Sequence, residues 1–211
     1  MDFQLHPVEA RVLGCLMEKE SATPEYYPLS LNALTAACNQ KSNRDPVMSL
    51  DEETVRSAIE SLRLKGLALD ISGGDHRVHK YGHRLGEVFN FDRREQVVVC
   101  VLMLRGPQTV GELRGRTERL YIFGDLAEVE ATLSRLAERV PPLVQKLARQ
   151  PGEKESRFAH LLSGDVEIAA PAPRVQAAAE FRSPLEERIA KLETELTTLK
   201  RQFEEFRAKF E

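Results

Sequence analysis

The 211-residue sequence is poor in the signatures that usually mark chemistry. It holds no GxSxG, no HExxH and no phosphate-cradling glycine loop, which leaves no hydrolase, zincin or P-loop motif to build on. Cysteine is scarce: Cys15, Cys38 and Cys100, an odd count with no CxxC pair. Cys15 and Cys100 fall inside apolar helical patterns, so the expectation is small buried hydrophobes in a reducing compartment. No apolar run approaches the roughly 18–20 residues that span a bilayer. The opening MDFQLHPVEARV lacks the basic start and apolar core of a signal peptide, so a cytoplasmic chain without a membrane partner is expected. An excess of positive charge is also missing. Thirty Lys and Arg stand against 33 Asp and Glu, a formal charge of −3. That excludes a surface that grips nucleic acid all over, but not a local basic patch.

What is present is a repeated order of elements. Around 29–69 a short amphipathic helix (Leu31, Leu34, Ala37) precedes a polar loop and a longer helix. Ser49 and Glu52 have capping-box spacing for that longer helix. Val55, Ala58, Ile59 and Leu62 give it one apolar stripe, and Gly66 can end it in the left-handed conformation. Before these, His6-Pro7-Val8-Glu9 opens a first helix with a stripe of Val8, Val12, Leu13, Leu16 and Met17. Pro28-Leu29 is placed for a short strand. After them, LALDIS, the turn Gly73-Gly74-Asp75 and HRVHKYGHRL read as a hairpin. Helix, helix, helix and hairpin is the order of a winged helix-turn-helix.

The order then recurs. Asp92 with Glu95 caps a helix filled by Val97, Val98, Val101 and Leu102, and Thr109 with Glu112 caps a second. Asp125 with Glu128 caps a third, whose Val129, Leu133 and Leu136 repeat the spacing of Val55, Ile59 and Leu62. Residues 143–149 and 157–162 form the second hairpin. The predicted class is mostly α with small β-hairpin wings: two tandem winged helix-turn-helix domains, 1–90 and 91–164, and a C-terminal coiled-coil-like helix.

Residues 165–182 are an Ala/Pro linker, and 183–211 a heptad helix opened by Ser183-Pro184-Leu185-Glu186. Its seam places Ile189, Leu196, Phe203 and Phe210 at a, with Leu185, Leu192, Leu199 and Phe206 at d. A parallel dimer would set Arg188 against Glu193 and Glu195 against Lys200, whereas an antiparallel one would oppose Arg188 and Lys209. A homodimer is the expectation, with a helix folded back on its own domains as the other reading.

The helices that would enter a DNA groove look unsuitable for it. Opposite its apolar stripe, the third helix carries Glu53, Ser57, Glu60 and Leu64, with Arg56 and Arg63 on one flank. In the repeat, Ala127, Ala131, Ser134 and Glu138 face outward. Groove-reading helices present Arg, Lys, Asn or Gln. The basic residues lie in the polar loop 39–46 (NQKSNRDP) and the hairpins. The candidate nucleic-acid contacts are therefore Lys41, Asn43, Arg44, Arg56, Arg77, Lys80, Arg84, Lys154 and Arg157, with Lys146 and Arg149 nearby. A solvated hairpin whose cations deter edge pairing is the plainer alternative. His76, His79 and His83 cluster beside Asp75, but in an extended strand His76 and His79 point to opposite faces, and His79 and His83 share one only if the strand is regular through Gly82, so a polar wing explains them without a metal. No cofactor, metal or catalytic residue is expected.

ALTAACNQKSNRDPVMSLDEETVR (33–56), preceded by EYYPLSLN and followed by RVHKYGHR, resembles the YceH-like family of uncharacterised bacterial proteins. RQPGEKESRFAHLL (149–162) fits the same family. The resemblance implies two tandem winged-helix domains and no established activity, cofactor or catalytic residue. Two functions are expected to compete. One is a non-enzymatic DNA-binding or transcription-related protein acting on duplex DNA. The other is a protein–protein adaptor docking through its winged helices and coiled-coil helix.

Overall fold

Helix α1 (Pro7–Ala22) starts where the sequence marks it. His6 Nδ1 accepts from Val8 N–H at 3.4 Å, and the Glu9 carboxylate takes the His6 N–H at 2.7 Å. The computed structural model describes residues 3–71 and 78–164. The chain divides into two units after Glu167, and everything described lies in the first. The linker and heptad positions, and the turn residues with His76 and Arg77, lie outside the described residues.

After α1 come a 3-10 turn, strand β1 (Leu29–Ser30) and α2 (Leu31–Cys38), capped by Ser30 Oγ on Ala33 N–H. Helix α3 (Glu52–Leu64) follows the polar loop. It does not begin with the expected Ser49/Glu52 box. Asp51 is the cap, accepting from Thr54 N–H at 2.8 Å. Glu52 instead accepts from Asn32 on α2 at 3.2 Å. A carboxylate one residue before the helix offers the same capping chemistry as Ser49, and it sits where the chain turns. Gly66, at φ 72°, ends α3 as expected. Strands β2 (Ala68–Asp70) and β3 (Lys80–His83) pair antiparallel, and β1 joins the free side of β3. A short helix α4 (Leu85–Phe89), unmarked by any periodic signal, leads into the second half.

There the order repeats: α5 (Arg93–Arg105), α6 (Val110–Thr117), α7 (Leu126–Glu138), and the antiparallel pair β4 (Val144–Lys146) and β5 (Phe158–His160). All three helices are capped by the anticipated residues Asp92, Thr109 and Asp125. Gln108 exchanges both backbone hydrogen bonds with Phe158. It thereby occupies the place that β1 holds in the first half. The described residues are mostly helical with small antiparallel strand pairs, as the sequence predicts.

The core differs from two separate cores. One buried cluster runs through both halves. Helix α1 is buried continuously from Glu9 to Met17, beyond the single stripe expected of it, and α5 from Val97 to Leu104, beyond the four residues expected to fill it. A helix buried on every side belongs at a centre, and these two pack on each other as well as on their own halves. Gly14 permits the approach: a Cβ there would lie 2.9 Å from Leu104 Cδ2 and 3.0 Å from its Cγ. Cys100 Sγ donates to the Gly14 carbonyl at 3.5 Å. Further bonds cross between the halves: Asp45 N–H to the Leu104 carbonyl, Leu5 N–H to the Leu162 carbonyl, and the Gln96 amide to Glu20.

Candidate nucleic-acid interface

Loop 39–50 is held by side chains beneath it. Asn39 makes two 2.7 Å bonds to the backbone of Leu50 and closes the loop. Arg11, buried on α1, donates to the carbonyls of Cys38 at 3.1 Å and Pro46 at 2.6 Å. Arg44 turns inward and is 6% exposed. Its guanidinium donates to both oxygens of Glu18 at 3.1 and 2.6 Å, to Gln40 at 3.0 Å, and to the Ala37 and Asn43 carbonyls. Burial alone would push Arg44 down, but the Glu18 carboxylate holds it above its ordinary range. Arg44 is therefore a strut of the loop and is corrected from the list of phosphate contacts. Every donor direction it has is already used.

The other candidates divide by partner. Asn43 adopts φ 60° and its side-chain oxygen accepts from Arg105. Arg56 pairs with Glu53 at 3.4 Å and Arg84 with Glu87 at 3.0 Å, each within its own helix or cap. Arg157 donates to Glu112 at 2.6 Å, Glu153 at 3.2 Å and the Pro107 carbonyl at 3.1 Å, fastening β5 to the start of α6. Lys41, Lys80 and Lys154 are exposed and form no ion pair among the described residues. The outward face of α3 is as read: Glu53, Ser57, Glu60 and Leu64 are all exposed, with Glu60 held by Arg63 at 2.7 Å. The two described histidines of the cluster, His79 and His83, take separate partners. His79 bonds Asp70 at 2.7 Å, while His83 bonds Glu20 on α1 at 2.9 Å. No metal-holding group of three His, Cys, Asp or Glu occurs among the described residues. The three cysteines are buried free thiols.

One basic feature escaped the sequence reading. A cleft of about 790 Å³ opens between the end of α1, the polar loop, α5 and the end of α6. Lys19, Lys41, Arg105, Arg116 and Arg119 line it, against Glu18 and Glu118. Glu18 is already committed to Arg44. Burial pushes the Arg105 guanidinium down, and the charges of Arg116 and Arg44 add to that. The signal was the run RGPQTVGELRGRTERL, whose Arg114, Arg116 and Arg119 gather around the end of α6 while Arg105 ends α5. They meet Lys41 and Lys19 only through the packing of α5 against α1.

The description "Protein of unknown function, DUF480" matches residues 5–153 of the chain. The chain belongs to this family. A UPF0502 protein of Solibacter usitatus is 58% identical over the whole of both chains. One from Geobacter sulfurreducens is 52% identical, again over both whole chains. A third, from Citrifermentans bemidjiense, is 55% identical over 93% of this chain and 90% of its own. These relatives agree with the resemblance to the YceH-like family drawn from NQKSNRDP and its flanks. Among the described residues, no helix is long and apolar enough to cross a membrane.

Proposed function

We propose that this DUF480 chain is a non-enzymatic protein of two tandem winged-helix domains, 1–90 and 91–164, that binds duplex DNA through its polar loop and hairpins. The repeated order of three helices and a hairpin supports the domain reading, with β1 and Gln108 as matching third strands. One contrast carries the binding reading. The outward acids of α3 are balanced by arginines of the same helix, whereas Lys41, Lys80 and Lys154 stand exposed on the loop and hairpins. Such lysines suit phosphate contact with little base readout. In this reading the heptad positions Leu185 to Phe210 join two copies in the cytoplasm.

A salt titration of the full chain on random-sequence duplex DNA tests it. Binding falls steeply with salt, and K41A/K80A/K154A lowers the slope by roughly one per lysine that touches a phosphate. An unchanged affinity and slope in that triple variant would remove this surface.

A second reading, docking to a protein, rests on α7. Ile122, Leu126 and Val140 are exposed near its ends, at 76%, 47% and 98%, with Ala127 and Ala131 between them. No retention of duplex DNA at low salt would favour this surface instead.

A further inference from the structure

We propose that Cys15 and Cys38 form a redox-active thiol pair, which a peroxide oxidises to a disulfide joining α1 to α2. The site is separate from the loop and hairpin lysines and does not depend on duplex binding.

Two helices assemble the pair. Cys15 lies four residues after Arg11 on α1 and therefore on the same face. Cys38 is the last residue of α2. The Arg11 guanidinium donates to the Cys38 carbonyl at 3.1 Å, so this face of α1 looks onto the end of α2. There the two thiols meet, with the Cys38 S–H directed at the Cys15 sulfur. The third thiol is engaged elsewhere: Cys100 donates to the Gly14 carbonyl.

The charge around them sets these thiols apart from ordinary buried cysteines. Arg44 is balanced by Glu18, but Arg11 has no such partner. Arg11 is 1% exposed and forms no ion pair among the described residues. Its hydrogen bonds there go only to the Cys38 and Pro46 carbonyls, and its Nε is left without a partner. A buried cation with no anion beside it is costly. Burial pushes the Arg11 guanidinium down, and of the negative groups that oppose this, Cys15 comes first, ahead of Cys38 and Asp45. A thiolate at Cys15 is thus the counter-ion that the fold otherwise withholds.

Burial resists that charge, but the Cys38 S–H and the Arg44 and Arg11 cations together hold the Cys15 thiol below its ordinary range. Cys38, which gives the hydrogen bond and sits at the carbonyl end of a helix, is held above it. One sulfur is therefore the nucleophile and the other keeps its proton. The Cys15 thiolate attacks a peroxide oxygen: an S–O bond forms, the O–O bond breaks, and hydroxide leaves to take up the proton that Cys15 had released. Cys38 then attacks the sulfenic sulfur: the S–S bond forms, the S–O bond breaks, and the leaving hydroxide departs with the Cys38 proton as a second water. The two sulfurs give two electrons to one peroxide. Both sulfurs are buried, so the oxidant must be small. The basic cleft brings solvent to Glu18, three residues beyond Cys15, and to Gln40, two beyond Cys38.

The test treats the folded full chain with hydrogen peroxide, quenches it, then unfolds and alkylates it for mass spectrometry. Free thiols are expected to fall from three to one, with the loss of two hydrogens in mass and a single linked peptide joining Cys15 to Cys38. Dithiothreitol restores all three. Cys100→Ser leaves the bond intact, and Cys38→Ser halts at a sulfenic acid on Cys15 that dimedone traps. Arg11→Gln slows the reaction at neutral pH by at least about tenfold, and Arg11→Lys recovers most of the rate. A variant that merely lost its fold would expose the thiols and react faster, so the two effects have opposite signs. Four results would overturn the pair: three free thiols after peroxide, a disulfide through Cys100, oxidation that occurs only in urea, or an undiminished rate in Arg11→Gln. Oxidation only in urea would mean that the cysteines are inert core residues.

Discussion

Lys41 and Arg44 lie three residues apart in one polar loop and meet opposite fates. Lys41 points to solvent, while the Arg44 side chain is wholly buried against Glu18, itself only 14% exposed. Sequence alone makes them equal cations, because the partner that pulls Arg44 inward is 26 residues earlier on another helix. The Glu18 carboxylate, the Gln40 amide oxygen and two carbonyls that bind Arg44 would all lose their donor at once in Arg44→Ala. Breaking one side of a buried ion pair costs about 3–5 kcal/mol, and Lys41→Ala should stay within about 0.5 kcal/mol of the native chain. Urea unfolding of both variants measures the difference. If the two cost the same, Arg44 is not the strut described above.

At the scale of elements, most helix starts were legible because capping is local. The starts marked at His6, Asp92, Thr109 and Asp125 are each capped by that residue's own side chain, while the Ser30 cap of α2 emerged only in the structure. The start of α3 was misplaced because Ser49 and Asp51 both offer the needed acceptor, and only the turn of the chain chooses between them. Helix α4 was missed because five residues carry no period. The environment of α1 and α5 was misread for another reason. The run VVVCVLML (97–104) is apolar on every face, a pattern that calls for burial all round, while Val97, Val98, Val101 and Leu102 name only half of it. The mutual packing of α1 and α5 makes Gly14 a sensitive position. Gly14→Val would drive a branched side chain into Leu104 and cost about 1–3 kcal/mol by overpacking. Adding Leu104→Ala should recover part of the loss, giving a favourable coupling energy in a double-mutant cycle. Purely additive losses would show that the seam is looser than the close approach indicates.

At the scale of the whole molecule, the repeat was visible in the sequence but its consequence was not. Spacing within each half predicts that half's elements. Nothing in the spacing says that the first helices of the two halves pack together, since that contact is set by shape across about 85 residues. A continuous core through residues 3–71 and 78–164 predicts one cooperative body. Amides at the centres of α1 and α5 should therefore exchange with solvent at the same opening free energy in the full chain. Two clearly different values, one for each half, would mean that the halves open independently. The basic cleft belongs to this scale too. Its arginines were readable at the end of α5 (Arg105) and around the end of α6 (Arg116, Arg119), but its existence as a concavity follows only from docking α6 beside the end of α1.

The close approach at Gly14 also bears on avidity. Two recognition modules on a flexible tether must search for simultaneous engagement, and part of the gain from the second contact is lost in ordering the tether. Here the two hairpins grow from halves fused through α1 and α5, so their separation is fixed when the chain folds. Under the proposed duplex-binding reading, a ligand that meets one hairpin would find the other already in place, and one whose repeat does not match that spacing would engage only one.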